Sequence, residues 1–224
     1  MIIRNTPFPH FIWDNFMEDK IANKARDMFP AEDSEMWTWK SNDENSIKYM
    51  CQNIDKIKTL PTLYEIIEYL NSEYFCKMLS IIFGIPNLVS DMQVGGGGLH
   101  MIGNGGFLKI HSDFNVADTM PDYNRRLNLI YYLSDDWKDE YNGQLELWNT
   151  DLTKCQVKLS PIFNRMMCFV TQPEGDTISW HGHPKPLEVP DGVYRKSIAL
   201  YYYTKEKPNN VFAEKHKTIY KEVV

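Results

Sequence analysis

The chain has no apolar run near the roughly eighteen residues that a membrane-spanning helix needs, so no membrane partner is expected. Its start, Met1-Ile2-Ile3-Arg4-Asn5-Thr6-Pro7, lacks the basic stretch and apolar core of a secretory signal. Cysteine is scarce: Cys51, Cys76, Cys155 and Cys168 stand far apart and form no C-x-x-C pair. In a chain of 224 residues without such a signal they read as reduced, mostly buried thiols, and a cytoplasmic location is the expectation. Positive charge is in deficit, with 24 Lys+Arg against 30 Asp+Glu for a formal net charge of −6. That removes the basic footprint of a protein that coats DNA or RNA, and no nucleic-acid partner is expected. Internal repeats, low-complexity tracts and linkers are missing too, so residues 1–224 read as a single domain.

What is present is an ordinary globular composition, 43% hydrophobic and 24% charged. The first ninety residues read as a helical support region. Phe16, Met17, Ile21, Ala25 and Met28 keep helical spacing from about 14 to 29, where Pro30 stops the run. Trp37 and Trp39 alternate in an acidic stretch that reads as a short strand or a loop. Pro61 suits a helix first turn, and Asn71 reads as the N-cap of a further helix that ends at Gly84. Seven of the twelve glycines then fall in residues 95–106, with no Gly-Lys-Ser/Thr after them, so a phosphate-cradling loop is not expected there. Glycine turns around a short segment, Leu99 to Ile102, fit better. Strand patterns follow at 107–113, 127–133, 144–149, 155–159, 165–171, 176–181 and 194–204, with Asn142-Gly143 as a hairpin signal. Helices followed by many short strands predict a mainly β protein with flanking α, a sandwich or jelly roll backed by helices.

Six histidines are few enough to weigh singly. His111-Ser112-Asp113 places an imidazole and a carboxylate at i and i+2, on one face of a strand, where both can reach one metal. Alone, that spacing is near what chance supplies. His181-Gly182-His183, some seventy residues later, offers a third donor from either histidine. Two imidazoles and one carboxylate leave positions open, the pattern of a non-haem Fe(II) site, whereas structural zinc closes with four donors that often include cysteine. His10, His100 and His216 have no evident partner, although His100 could stand near the mouth of a site. Arg195 opens a strand, and Ser197 shares its face. Either this arginine holds a ligand carboxylate in a barrel interior, or it sits on the rim beside Asp191 or Glu188.

The order of these residues resembles the Fe(II)/2-oxoglutarate-dependent dioxygenase superfamily, in its prolyl 4-hydroxylase-like branch. The resemblance runs through His111-x-Asp113, Arg125-Arg126-Leu127-Asn128-Leu129-Ile130-Tyr131-Tyr132-Leu133 and Asn142-Gly143-Gln144-Leu145. It continues through Pro161-Ile162-Phe163-Asn164-Arg165, His181 and Arg195-x-Ser197, and covers about residues 92–204. It implies a double-stranded β-helix core (jelly roll, cupin-like) over 91–207 with the N-terminal helices packed on one sheet, and a C-terminal tail over 208–224. It implies that His111, Asp113 and His181 hold Fe(II), with His183 as the alternative third ligand, and that Arg195, Ser197 and Tyr132 bind 2-oxoglutarate. The implied activity is hydroxylation of a C–H bond with O2, as 2-oxoglutarate is decarboxylated to succinate and CO2, with ascorbate as a candidate reductant. The implied substrate is a prolyl or other peptidyl residue. A free amino acid or other small metabolite is the alternative, and a non-catalytic jelly-roll binding module the third reading. Where members of the family often have a tyrosine, this sequence has Met101, so a hydrogen bond to the co-substrate is either missing or supplied by His100.

Overall fold

The structure is a computed structural model and describes residues 1–211 and 214–223. Along the chain run β1 (Ile2–Arg4), β2 (His10–Asp14), α1 (Asp19–Asp27), β3 (Trp39–Asn42), β4 (Ile47–Cys51), α2 (Ile54–Ile57), α3 (Pro61–Leu70) and α4 (Glu73–Phe83). Then follow β5 (Val89–Ser90), β6 (Gly98–Ile102), β7 (Leu108–Ser112), β8 (Asn124–Tyr132), β9 (Leu145–Trp148) and β10 (Cys155–Leu159). The last four strands are β11 (Arg165–Val170), β12 (His181–His183), β13 (Arg195–Thr204) and β14 (Ile219–Lys221). Among the described residues they pair into two antiparallel sheets. The larger has the order β1-β2-β11-β8-β13-β6-β4-β3, with β5 also on β13, and the smaller is β10-β9-β12-β7-β14. This is a jelly roll with helices on one side.

Alternation along the long strands builds the layers. On β8, Leu127, Leu129 and Tyr131 join Ile198, Leu200 and Tyr202 of β13 and Met166, Cys168 and Val170 of β11 in a core with the helices. The intervening residues, such as Met167, Phe169 and Ile130, meet Leu145, Leu147, Val157 and Leu159 of the smaller sheet. Burying one such side chain contributes about 1.5–3 kcal/mol. A one-residue slip would move a whole set to the wrong layer, so register is firmly specified.

The first ninety residues depart from a purely helical region: they also supply β1 to β5, all in the larger sheet. The first helix starts later than its apolar spacing suggests. Residues up to Asp14 are paired as strand with β11, and Asn15 takes a positive φ of 52°. Asn71 is not the N-cap of α4. It ends α3 and its side-chain amide donates to the Asp91 carbonyl, while Ser72 Oγ accepts from Phe75 N–H at 3.2 Å. Gly84 closes α4 at a φ of 64°, a left-handed cap. Asn142-Gly143 makes a turn with both residues at positive φ, but not a hairpin, because β8 before it and β9 after it lie in different sheets. The pattern at 176–181 does not form a strand there. Ser179 Oγ donates to the Thr171 carbonyl and Trp180 Nε1 to the Thr150 carbonyl, and ladder pairing begins only at His181. Residues 208–224 are more than a tail, since β14 returns to pair with β7; Phe212, Ala213 and Val224 lie outside the described residues.

Candidate metal and co-substrate site

β7 and β12 are neighbours, and their register sets His111 directly opposite His181. Asp113 follows just past the end of β7. Its carboxylate lies 3.5 Å from His111 Nε2 and 3.3 Å from His181 Nε2. Among the described residues these three form the group whose donor atoms lie within 4.8 Å of one another and could hold a metal ion. His183 is not in that group, although it lines the same cavity.

The backbone fixes which ring nitrogen each histidine presents. His111 Nδ1 is 2.8 Å from the Lys109 carbonyl, and His181 Nδ1 is 2.8 Å from the Ser179 carbonyl. A carbonyl only accepts, so Nδ1 carries the proton and Nε2 turns its lone pair toward Asp113. Burial pushes the His111 pKa down, with the neighbouring His181 adding to the effect, which keeps its imidazole neutral. Burial works to raise the Asp113 pKa, but the Arg125 guanidinium and the two imidazoles override it and hold the carboxyl well below its usual range. Arg125 donates to Asp113 Oδ2 at 2.9 Å and Asn128 Nδ2 at 3.2 Å. The guanidinium is fully buried, 3.4 Å from the centre of the Tyr201 ring and 4.6 Å from that of Phe114. Two imidazoles that present Nε2 and one ionised carboxylate, oriented through their outer hydrogen bonds, fit a divalent transition metal with open positions.

The three donors stand at the wall of a cavity of about 80 Å3 between the sheets. Arg195 lines it too, 5% exposed, donating to the Gly143 carbonyl at 3.0 Å and to the Tyr132 hydroxyl at 3.2 Å. No carboxylate pairs with it among the described residues, so it is not a rim arginine bridged to Asp191 or Glu188; Glu188 instead accepts from Asn142. Burial holds Tyr132 above its ordinary pKa, so its neutral phenol keeps a proton to donate. Ser197, buried, sits opposite Tyr132 on one side and His100 on the other. A guanidinium, a hydroxyl and a phenol on one buried face are the donors a ligand carboxylate needs.

Met101 packs with the helices, and its neighbours His100 and Ile102 line the cavity instead. His100 Nε2 is buried without a hydrogen-bond partner, as are both ring nitrogens of His183. Sequence reasoning missed Lys48 of β4, which also lines the cavity, and did not see that Arg125 and Asn128 brace Asp113. The alternation Ile47-Lys48-Tyr49-Met50 places Lys48 opposite Ile47 and Tyr49, but nothing in it says that this face looks inward. Burial pushes the Lys48 pKa down to about 8. Beyond Phe114, a wider groove of about 790 Å3 runs past Gly96 and Ala117 to Lys215 and Lys217. Tyr220 of β14 covers His111, with ring centres 5.6 Å apart.

A sequence model described as the 2OG-Fe(II) oxygenase superfamily matches residues 97–203. None of the curated proteins compared with the chain matches it. Solved structures with a similar fold include a prolyl hydroxylase from Trichoplax adhaerens in complex with a hypoxia-inducible-factor peptide fragment. It is 19% identical, with a TM-score of 0.53, covering 87% of this chain and 83% of that one. A prolyl-4-hydroxylase from Pseudomonas putida is 12% identical, with a TM-score of 0.52 and coverage of 87% and 91%. HygX from Streptomyces hygroscopicus, solved with nickel and 2-oxoglutarate, is 9% identical, with a TM-score of 0.57 and coverage of 96% and 92%. Residues 97–203 are thus similar in sequence to the 2OG-Fe(II) oxygenase superfamily, and the fold of the chain is like that of prolyl 4-hydroxylases.

Proposed function

We propose that this protein is an Fe(II)- and 2-oxoglutarate-dependent dioxygenase that hydroxylates a C–H bond of a prolyl or other peptidyl residue. One observation carries the reading: two imidazole Nε2 atoms and an ionised carboxylate converge on a cavity that also holds a buried guanidinium with no carboxylate partner among the described residues. His111, Asp113 and His181 would hold the iron, with His183 beside them rather than on the metal. When bound, Fe(II) with 2-oxoglutarate and O2 supplies the oxidation, releasing succinate and CO2 and placing one oxygen atom in the substrate C–H bond.

The chain's own residues bind, orient and shield. Arg195 offers its fork to the distal carboxylate of 2-oxoglutarate, and Tyr132 and Ser197 add hydroxyl donors, which fixes the co-substrate lengthwise. Arg125 and Asn128 keep Asp113 ionised and aimed. Ile130 and Leu145 wall the cavity and limit water. The groove of about 790 Å3 at Phe114 offers room for a peptide, and the Trichoplax adhaerens relative was solved with one. The enclosed inner cavity favours the second reading, a free amino acid or other small metabolite. Residues 1–224 would work as one domain in the cytoplasm, with ascorbate as a reductant that restores Fe(II). The test is anaerobic addition of Fe(II) and 2-oxoglutarate, which should give a weak visible charge-transfer band. Absence of the band in metal-loaded protein would sink the dioxygenase reading.

A further inference from the structure

Lys48 is a cation that the proposed chemistry does not use. On β4 it occupies the face of Met50, which pairs with His100 on β6, and that face continues across Ile102 to Arg195 on β13. The register thus puts Lys48 two strands from Arg195, about 10 Å at the usual strand spacing. The residue is half-buried and lines the cavity, with its ammonium 5.9 Å from the centre of the Trp39 ring. No carboxylate forms an ion pair with it among the described residues. The contrast with Arg125 is instructive, because that guanidinium is buried too but is matched by Asp113.

The charges decide what Lys48 faces. On the proposed reading, the two carboxylates of 2-oxoglutarate are taken up by Fe(II) and by Arg195. Asp113 answers one further positive charge. Lys48 then leaves the loaded cavity with an unmatched cation in a site shielded from water, which is costly unless an anion arrives with the substrate. The groove outside has the same bias, since Lys215 and Lys217 line it against Asp118 alone. We propose that Lys48 is a specificity residue that binds a carboxylate of the substrate, held beside the carbon that is hydroxylated. Such a carboxylate belongs either to an acidic residue next to the target in a peptide or to a free amino acid. The inference rests on the dioxygenase reading and names its substrate class.

The experiment is calorimetry on the full chain under anaerobic conditions, loaded with Fe(II) and 2-oxoglutarate. The probes are two acid–amide pairs: N-acetyl-Glu-Pro-Gly-amide with its Gln counterpart, and L-proline with L-prolinamide. In one pair the acid should bind at least about tenfold tighter than the amide, the size expected for losing one buried charge pair, and the pair that shows it identifies the source of the carboxylate. Lys48→Met should abolish that preference, while Lys48→Arg keeps it. The Kd for 2-oxoglutarate should change less than about threefold in both variants, since the bidentate fork of Arg195 remains. Equal binding of acid and amide in every pair, no binding of any probe, or loss of 2-oxoglutarate affinity in Lys48→Met overturns the assignment. Failure of the wild-type protein to bind 2-oxoglutarate with Fe(II) would instead remove the reading beneath it.

Discussion

At the scale of single residues, neighbours separate the two histidines of His181-Gly182-His183. His181 has its Nδ1 engaged by a carbonyl and its Nε2 aimed at Asp113; His183 has neither nitrogen engaged. His181→Ala is therefore expected to abolish metal-dependent 2-oxoglutarate consumption, and His183→Ala only to weaken it, as read by succinate formation. The reverse result would transfer the ligand role. Arg125→Met tests the brace behind Asp113. It leaves a carboxylate buried without its cation, so unfolding free energy should drop by about 3–5 kcal/mol. Metal affinity should weaken about 10–100-fold if Asp113 is a ligand. Denaturant melts and metal titration check the two effects separately. In the sequence, His111 and Asp113 stood out by period-2 spacing, one of His181 and His183 as a further donor, and Arg195 with Ser197 as a rare charge and hydroxyl at a strand start, whereas the choice of His181 and the role of Tyr132 came only with the family resemblance. Lys48 and Asn128 were not legible, because a lone lysine or asparagine in a strand looks the same whether its face meets water or a cavity.

At the scale of elements, β6 depends on backbone that accepts no side chain. Gly98 has a φ of 87°, and a Cβ there would lie 2.1 Å from the Cys51 carbonyl oxygen, at the end of the β4–β6 pairing. Gly98→Ala should cost more than the ~1–3 kcal/mol of an unfavourable backbone region, because β4 must also move. Gly105→Ala is the control: its φ is 74° but nothing lies within 4 Å of the added methyl, so it should show only the conformational part. A difference in melting temperature between the two variants measures the clash. Elements that are long runs of apolar and aromatic residues, such as β11 and β13, stood out in the sequence. β3 reads as either a short strand or a loop, since three of its four residues are exposed. β12 did not stand out, because three residues carry no period and its place comes from pairing with β7 and β9. The helix caps were half legible: Gly84 stops α4 as expected, whereas Asn71 and the adjacent Ser72 are both good caps, and only the contact with Asp91 decides between them.

At the scale of the whole molecule, acid should destabilise the fold in two stages. Burial pushes the His10 pKa below its ordinary value of 6.5. Above pH 6.5 the ring is neutral in both states; below it the unfolded chain takes up the proton first, so stability falls as pH falls. The Arg165 guanidinium, donating to Asp14 at 2.8 Å, holds that carboxyl below its ordinary value of 3.8. Its contribution is complete above pH 3.8 and is lost as pH falls toward the lowered value. Melting temperature measured from pH 7.5 to pH 3 should decline without a maximum in between, and a rise anywhere below pH 6.5 would contradict the assignment. The core of the jelly roll was legible at this scale from the run of strand patterns after Gly95. The contribution of the N-terminal ninety residues was not, because β2 pairs with β11 more than 150 positions away and β4 with β6 about fifty positions away.

The Asp113–Arg125 pair also bears on how the protein can be handled. A carboxylate that already has a buried guanidinium at 2.9 Å does not depend on a metal for its counter-charge. Folding and loading are then separable, unlike in small zinc domains where the chain collapses only around its ion. Chelator-treated protein should keep its far-UV circular dichroism and refill on addition of Fe(II), recovering its oxidising power without a refolding step. Such an empty yet intact vessel lets inert divalent ions be exchanged in, so that binding can be watched without turnover.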